Sequence, residues 1–333
     1  VRLYFLASDN LQASGGLKFI YRFCEIANEL GFDAAVMHGK RGFQISNFNH
    51  NAPVVFNSKW KRSSRSKSVR RTLDYAVGRF IGNVKETEVH SKDVIILPEN
   101  RLFRVHEIFP KNPKIVLNQN PFLAARQGKP ESISNIIGSL NTSEVCLEVS
   151  RRLLSTKPSF LVPCWIERDV FSYKKTKKLQ IAYMPRRNAK DAVMVFKLLE
   201  ASGVIADVQV VPVSGMTLEQ VAQILGDSIM FLSFADREGF GLPGAEAIAS
   251  GCLTVGYTGI GGDEFFERFG GWPIAQQDIL SYADTVAEIL GRYKSDPSTL
   301  DGIRMENAEN IALHYNMRST KDALKHALSS LLE

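Results

Sequence analysis

Two acidic side chains flank the run Glu238-Gly-Phe-Gly-Leu-Pro-Gly-Ala-Glu246. The apolar stretch Ile229 to Phe234 before it reads as a buried strand, and Gly239 and Gly241 relax the turn that follows. Pro243 suits the first position of a helix running to Ser250, whose unbonded amides near Leu242 to Gly244 can hold a diphosphate. Glu238 precedes that helix and Glu246 lies near its second turn, so both carboxylates can reach one ligand from different depths. A carboxylate accepts from vicinal hydroxyls, which suits the hexose and the ribose at the two ends of a nucleotide sugar. Ala245, Ala247 and Ala249 let the helix lie close to its sheet, and Gly251 ends it. A second group, Arg186, Arg187 and Lys190, opens the helix after another strand, where cations oppose the helix field and gain from a bound anion.

The Glu238 to Glu246 segment resembles the donor site of retaining glycosyltransferases of the GT-B fold, in the large family typified by sucrose synthases and bacterial mannosyltransferases (glycosyltransferase family four). That family's signature is two glutamates separated by seven residues around a Gly-Phe-Gly-Leu-Pro core, the arrangement found here. The resemblance implies that Glu238 binds the transferred sugar, that Glu246 binds the ribose, and that Gly239, Phe240 and Gly241 shape the sugar pocket. It places Arg186 and Lys190 on the diphosphate. The family spaces that pair one residue wider, so Arg187 can share or replace the role of Arg186. Gly15 and Gly16 fall where the family has its first glycine-rich loop, and Gly261-Gly262-Asp263-Glu264 resembles the loop after the donor site. Relatives carry a histidine on the acceptor side. The comparable strand end here reads Asn118-Gln119-Asn120, amides that can orient an acceptor but cannot take its proton.

These groups need a scaffold of parallel strands with polar carboxyl ends. The runs Leu3 to Ala7, Ala34 to Met37, Val94 to Leu97 and Ile115 to Leu117 are continuously apolar, as strands covered on both faces are. Gly15-Gly16 opens a helix between the first two, Gly31 ends it, and Leu161-Val162 closes this half. The lysine-rich stretch Ser172 to Lys178 suggests a linker. Beyond it the alternation restarts with strands at Gln180 to Met184, Val208 to Val211, Ile229 to Phe234 and Leu253 to Tyr257, separated by helices. The expected fold is α/β, with two Rossmann-like doubly wound domains facing across a cleft. The expected division is an acceptor-side domain over 1–168, a donor-side domain over 169–315 and a terminal helix over 316–333 packing back on the first.

Composition narrows the alternatives. With 333 residues, 44% hydrophobic and 23% charged, the chain fits two domains and excludes wholesale disorder. Cys24, Cys146, Cys164 and Cys252 form no CxxC pair, and the histidines at 38, 50, 90, 106, 314 and 326 lack motif spacing, so no metal is expected. The arginine and lysine pair can neutralise a diphosphate in its place, leaving the nucleotide sugar as substrate and no cofactor. The scattered cysteines, with no disulfide framework, fit a reducing cytoplasm, and no apolar run approaches a membrane span, so a soluble cytoplasmic chain is expected. The net charge of +6 favours anionic partners. The basic run over 59–71 reads as a solvated loop, a contact with an acceptor or an anionic inner membrane face, or, least of all, a nucleic-acid patch. Asp33, Asp207 and Asp227 read as turn acids.

The resemblance implies retaining transfer of a hexose, UDP-glucose being the first choice of donor, to a hydroxyl of a glycan or lipid-linked glycan in polysaccharide or glycoconjugate synthesis. An inverting transferase or epimerase of the same gross fold, or a non-catalytic nucleotide-sugar-binding protein, remains open.

Overall fold

The computed structural model describes residues 1–10, 15–45, 48–62, 85–101, 108–124 and 135–333. The basic run lies outside them beyond Arg62. Trp60, at its head, is buried and donates its indole N–H to the Ala7 carbonyl at 2.8 Å, so it belongs to the core rather than to an exposed segment.

Two compact units form. One comprises Val1–Thr142, Cys146–Val162 and Lys321–Glu333, the other Ser143–Val145 and Pro163–Thr320. Apart from the short excursion over 143–145, the chain passes between units at 162–163 and 320–321, where sequence alone suggests residues near 168 and 315.

The first unit is a parallel sheet in the order β3-β2-β1-β4-β5-β6-β7. Its strands are β1 (Leu3–Leu6), β2 (Ala34–His38), β3 (Val54–Phe56), β4 (Val94–Pro98), β5 (Lys114–Asn118), β6 (Ile136–Asn141) and β7 (Ser159–Leu161). Helices α1 (Gly15–Glu29), α2 (Ser58–Arg62), α3 (Pro121–Ala124) and α4 (Glu144–Leu153) connect them. Both faces of β1 are covered, as its unbroken apolar run requires. Gly31, at φ 91°, ends the turn after α1 in the left-handed region that glycine tolerates. β6 escapes sequence reading because its apolar run is interrupted by Gly138 and Ser139. A Cβ there would lie within 3.0 Å of Leu331 and the Pro158 carbonyl, so the missing side chain makes room for the last helix.

The second unit carries the parallel order β12-β11-β10-β8-β9. Its strands are β8 (Lys178–Tyr183), β9 (Gln209–Pro212), β10 (Ser228–Phe234), β11 (Leu253–Tyr257) and β12 (Trp272–Pro273). Its helices are α5 (Ala189–Ala201), α6 (Leu218–Asp227), α7 (Leu242–Ala249), α8 (Ile279–Ser295) and α9 (Ser298–His314), and α10 (Met317–Leu332) returns the chain to the first unit from Lys321 onward. The core packs Ile181, Met230, Leu232 and Val255 of the sheet against Val195, Leu199, Val286 and Leu290 of the helices.

The stretch Ser172 to Lys178 is not a loose linker. Lys177 donates to the carbonyls of Leu225 (2.9 Å) and Ser250 (2.6 Å), at the ends of α6 and α7, and Lys174 and Lys178 pair with Asp227. Arg304, 2% exposed, donates to the carbonyls of Gly251, Lys174 and Lys175 and pairs with Asp301. Cations therefore satisfy carbonyls that helix termini leave without partners, which fixes the segment to the unit. Asp227 is accordingly an ion-pair centre rather than a turn acid. Burial opposes its charge, but hydrogen bonds from Lys174, Lys178 and Gln223 hold its carboxyl well below the usual range.

Candidate functional site

In the second sheet, successive connections run to opposite sides of β8: β9 lies on one edge of it and β10 on the other. The loops after β8 and β10 therefore flank a topological switch point, where open parallel sheets bind ligands. The loop after β8 carries Arg186, Arg187 and Lys190, and the loop after β10 carries Glu238 to Gly241. The two sets of residues singled out in the sequence share one end of one sheet.

A polar lock holds the two loops together. Asn188, left-handed at φ 42°, precedes α5 and donates its amide to the carbonyls of Phe234 (3.2 Å) and Ala235 (3.1 Å) at the end of β10. Gln276 donates to the same Ala235 carbonyl at 2.9 Å. In the first turn of α5, Asp191 accepts from the Tyr257 hydroxyl at 2.9 Å, tying the helix start to β11. Sequence reading missed all four residues. The only local signal was an asparagine immediately before a helix, a residue type common at helix starts.

Arg186 and Lys190 are exposed, and Arg187 is half-buried. The Nε of Arg187 stands 3.1 Å from Oε1 of Glu238 without its N–H aimed at the oxygen, so the contact is an ion pair and not an aligned hydrogen bond. The Glu238 side chain is 26% exposed. Burial pushes its carboxyl above the usual carboxylate range, and Arg187 and Arg186 pull the other way.

The glycine-rich loop after β11 completes this end of the sheet. Glu238 N–H donates to the Gly259 carbonyl at 2.9 Å, and Glu238 and Ile260 form an isolated parallel bridge. A Cβ on Gly261 would lie within 3.0 Å of the Gly239 and Phe240 backbone, so the two loops touch main chain to main chain. Ile260 adopts φ 72°, a left-handed value that costs a β-branched residue energy and occurs where surrounding structure imposes it. Ser143, which groups with this unit, donates its hydroxyl to the Gly239 carbonyl. Glu264 accepts from Glu144 N–H at 2.9 Å and from the Tyr315 hydroxyl at 3.0 Å, and burial pushes its carboxyl upward.

Several expectations change in detail. α7 starts at Leu242 with Gly241, at φ 91°, as its cap, one residue earlier than the proline suggests. Gly244 N–H already bonds the Gly241 carbonyl at 3.0 Å and Pro243 has none, so of the three positions expected to offer amides only Leu242 has one to present to a ligand. Phe240 is buried against Phe265 and Tyr315, with ring centroids 5.1 and 4.9 Å away, so its ring anchors the loop and does not line a sugar pocket. Glu246 is only 7% exposed, deeper than Glu238.

The remaining candidates belong to the first unit. Gly15 and Gly16 begin α1, following the carboxyl end of β1. Asn118 is buried, and its amide donates to the Cys146 carbonyl and the Ser150 hydroxyl, both at 3.0 Å, which commits its donors to α4. Asn120 accepts from Phe122 N–H at 3.1 Å, as a helix-capping side chain does. Gln119 N–H donates to Oε2 of Glu99 at 3.2 Å. Sequence reading passed over Glu99, a carboxylate 4% exposed just after β4, which burial pushes up to about 7. His38, one of the histidines without motif spacing, is buried and bonded to the Tyr21 hydroxyl at 2.7 Å and to Asp9 at 3.0 Å. Among the described residues no three or more His, Cys, Asp or Glu side chains cluster as a metal site, and no helix is long and apolar enough to cross a membrane.

No family model matches the chain. It is 27% identical over 267 residues, 75% of this chain and 78% of the relative, to an alpha-1,6-glucosyltransferase of Actinobacillus pleuropneumoniae serotype 7 (strain AP76). Among solved structures it is similar to sucrose-phosphate synthase from Thermosynechococcus elongatus, at TM-score 0.66 and 12% identity over 99% of this chain and 98% of that one. The pneumococcal O-GlcNAc transferase GtfA, solved with UDP and GlcNAc, matches at TM-score 0.67 and 11% identity over 100% and 99%. Anabaena HepE, solved with UDP-glucose, matches at TM-score 0.65 and 12% identity over 99% of each chain. The two parallel-sheet domains are those of the GT-B fold. The glucosyltransferase relative and these neighbours together support a glycosyltransferase.

Proposed function

We propose that this chain transfers a hexose from a UDP-sugar, with UDP-glucose the first choice, to a hydroxyl of a glycan or lipid-linked glycan, retaining the anomeric configuration. One observation carries the reading: Asn188 holds the Arg186 to Lys190 loop against the end of the strand that leads to Glu238, so cations and carboxylates meet at a switch point. The relative named as a glucosyltransferase and the neighbour solved with UDP-glucose support the donor class. The spacing of Glu238 and Glu246, which resembles the Glu-x7-Glu signature of that family of retaining enzymes, supports the retaining reading.

In this reading Arg186, Lys190 and the Leu242 amide bind the diphosphate, Glu238 accepts from hexose hydroxyls, and the deeper Glu246 accepts from the ribose. The bond between the anomeric carbon and the diphosphate oxygen breaks as the carbon takes on oxocarbenium character. Arg186 and Lys190 stabilise the charge that grows on the departing diphosphate, which lowers the barrier because they are already in place. The acceptor oxygen bonds to the same face of the carbon, and its proton passes to a leaving diphosphate oxygen. No protein nucleophile is required, and the fixed cations do the work for which other enzymes use a divalent ion. On the first unit, Gln119 and Asn120 are the proposed contacts for the acceptor. The product belongs to polysaccharide or glycoconjugate synthesis, and the acceptor, where lipid-linked, lies at the inner membrane face.

The test is a transfer assay with UDP-glucose and glucose-containing saccharides, reading the product anomer by NMR. The wild type gives an α-linked product. Glu238→Gln lowers kcat by about a hundredfold or more while UDP affinity stays within about threefold, as expected of an interaction with the moving sugar. A β-linked product refutes retention, and unchanged turnover of Glu238→Gln refutes the role of that residue.

A further inference from the structure

We infer that the two adjacent arginines do different work: Arg187 is the positioning residue of Glu238, and the diphosphate falls to Arg186 and Lys190. The inference rests on the donor-site reading above and adds a division of labour that the spacing of the cations leaves open.

Arg187 and Glu238 face each other at 3.1 Å with both side chains partly buried, 41% and 26% exposed, whereas Arg186 and Lys190 are exposed. A carboxylate that recognises sugar hydroxyls must accept hydrogen bonds on both oxygens, and it does so best when ionised. Partial burial works against that charge, and a neighbouring guanidinium restores it. An arginine suits this position better than a second acceptor, because its positive charge stands against one carboxylate oxygen, Oε1, and leaves the other for a ligand.

The other charges around Glu238 do not supply the same help. In its own loop, Asp236 is of like sign and is paired with Arg237 at 3.2 Å. From the loop after β8, Arg186 adds a weaker attraction than Arg187. In the loop after β11, Asp263 accepts from the Thr258 hydroxyl, and Glu264 is held by Glu144 N–H and the Tyr315 hydroxyl. Among the described residues Arg187 is therefore the cation paired directly with the sugar-recognising acid. Its own contact also fixes where that acid sits, since Glu238 N–H is already anchored on Gly259.

The test is UDP-glucose affinity measured by calorimetry from pH 5 to pH 9 for wild type, Arg187→Ala, Arg187→Lys, Arg186→Ala and Glu238→Gln. Wild-type affinity should fall on the acid side as Glu238 takes up a proton, and Glu238→Gln should lack that fall. Arg187→Ala should move the fall to higher pH, so that it binds about fivefold weaker than wild type at pH 6 and within about twofold at pH 8.5. Arg187→Lys, which keeps the charge, should stay near wild type. Arg186→Ala should lose about tenfold or more at every pH, with the acid fall left in place. An Arg187→Ala loss of similar size at all pH values overturns the inference, because it puts Arg187 on the diphosphate. An Arg187→Ala profile superimposable on wild type overturns it too. Absence of wild-type binding defeats the donor reading itself and the inference with it, whereas a Glu238→Gln profile like that of wild type removes the hexose role of Glu238.

Discussion

Replacing Glu99 by glutamine should stabilise the first unit, and should do so increasingly as pH rises. Glu99 lies just after β4, 4% exposed, and its carboxylate accepts from Gln119 N–H. Burial moves its midpoint from 4.5 to about 7, against the smaller pull of hydrogen bonds from the Gln119 and Glu99 main chain. The folded protein thus holds this proton more tightly than the unfolded chain. Stability from this group is fully present below pH 4.5 and is lost as pH rises through 7, where the folded state must ionise a buried acid. At about 1.4 kcal/mol for each pH unit between the two midpoints, the penalty reaches about 3 kcal/mol by pH 8 and is about 1 kcal/mol at pH 5. Glutamine carries no charge, and its carbonyl can still accept from Gln119 N–H. Hydrogen exchange of the β4 and β5 amides reads the first unit alone, avoiding the two-state assumption that a two-unit chain strains. Glu99→Gln should be more protected than wild type by about 3 kcal/mol at pH 8 and about 1 kcal/mol at pH 5. An equal gap at both pH values, or a less stable variant at pH 8, would refute the reasoning.

Lys190→Ala should weaken UDP binding by about 1 to 3 kcal/mol in calorimetry, with a smaller loss at high salt because the side chain is exposed. Gly261→Ala should cost UDP-glucose affinity about tenfold or more, because its Cβ would collide with the backbone of Gly239 and Phe240. Gly262→Ala, whose Cβ would meet Phe266 and Thr258 no closer than 3.4 Å, serves as the tolerated control. Arg304→Ala should destabilise the second unit by about 3 to 5 kcal/mol in thermal unfolding, since it strands Asp301 and the carbonyls of Gly251, Lys174 and Lys175. Turnover of UDP-glucose should survive EDTA if Arg186 and Lys190 carry the diphosphate charge; loss restored by a divalent ion would show that they do not suffice.

Much of the scaffold is legible because parallel strands buried on both faces must be continuously apolar. Leu3–Leu6 and Val94–Pro98 stand out for that reason alone. Ile136–Asn141 does not, since Gly138 and Ser139 interrupt it to accommodate neighbours distant in sequence. The same limit explains Ser172 to Lys178. Its lysines look solvated until the carbonyl ends of α6 and α7 are placed beside them. At the site, Glu238, Arg186 and Lys190 are legible by residue type next to glycine turns and helix starts. Asn188, Gln276 and the Asp191–Tyr257 pair are not, because each acts on a partner brought close only by the sheet. Phe240 misleads for a related reason: a ring between two glycines can face a ligand or the core, and the position of Phe265 and Tyr315 decides.

A crystal structure determined with UDP-glucose bound tests the account most directly. The account predicts the diphosphate within hydrogen-bonding distance of Arg186 and Lys190, hexose hydroxyls on Glu238, the ribose on Glu246, and Arg187 still against Glu238. UDP-glucose seated away from the loops after β8 and β10, or turned so that its hexose lies far from Glu238, would contradict it.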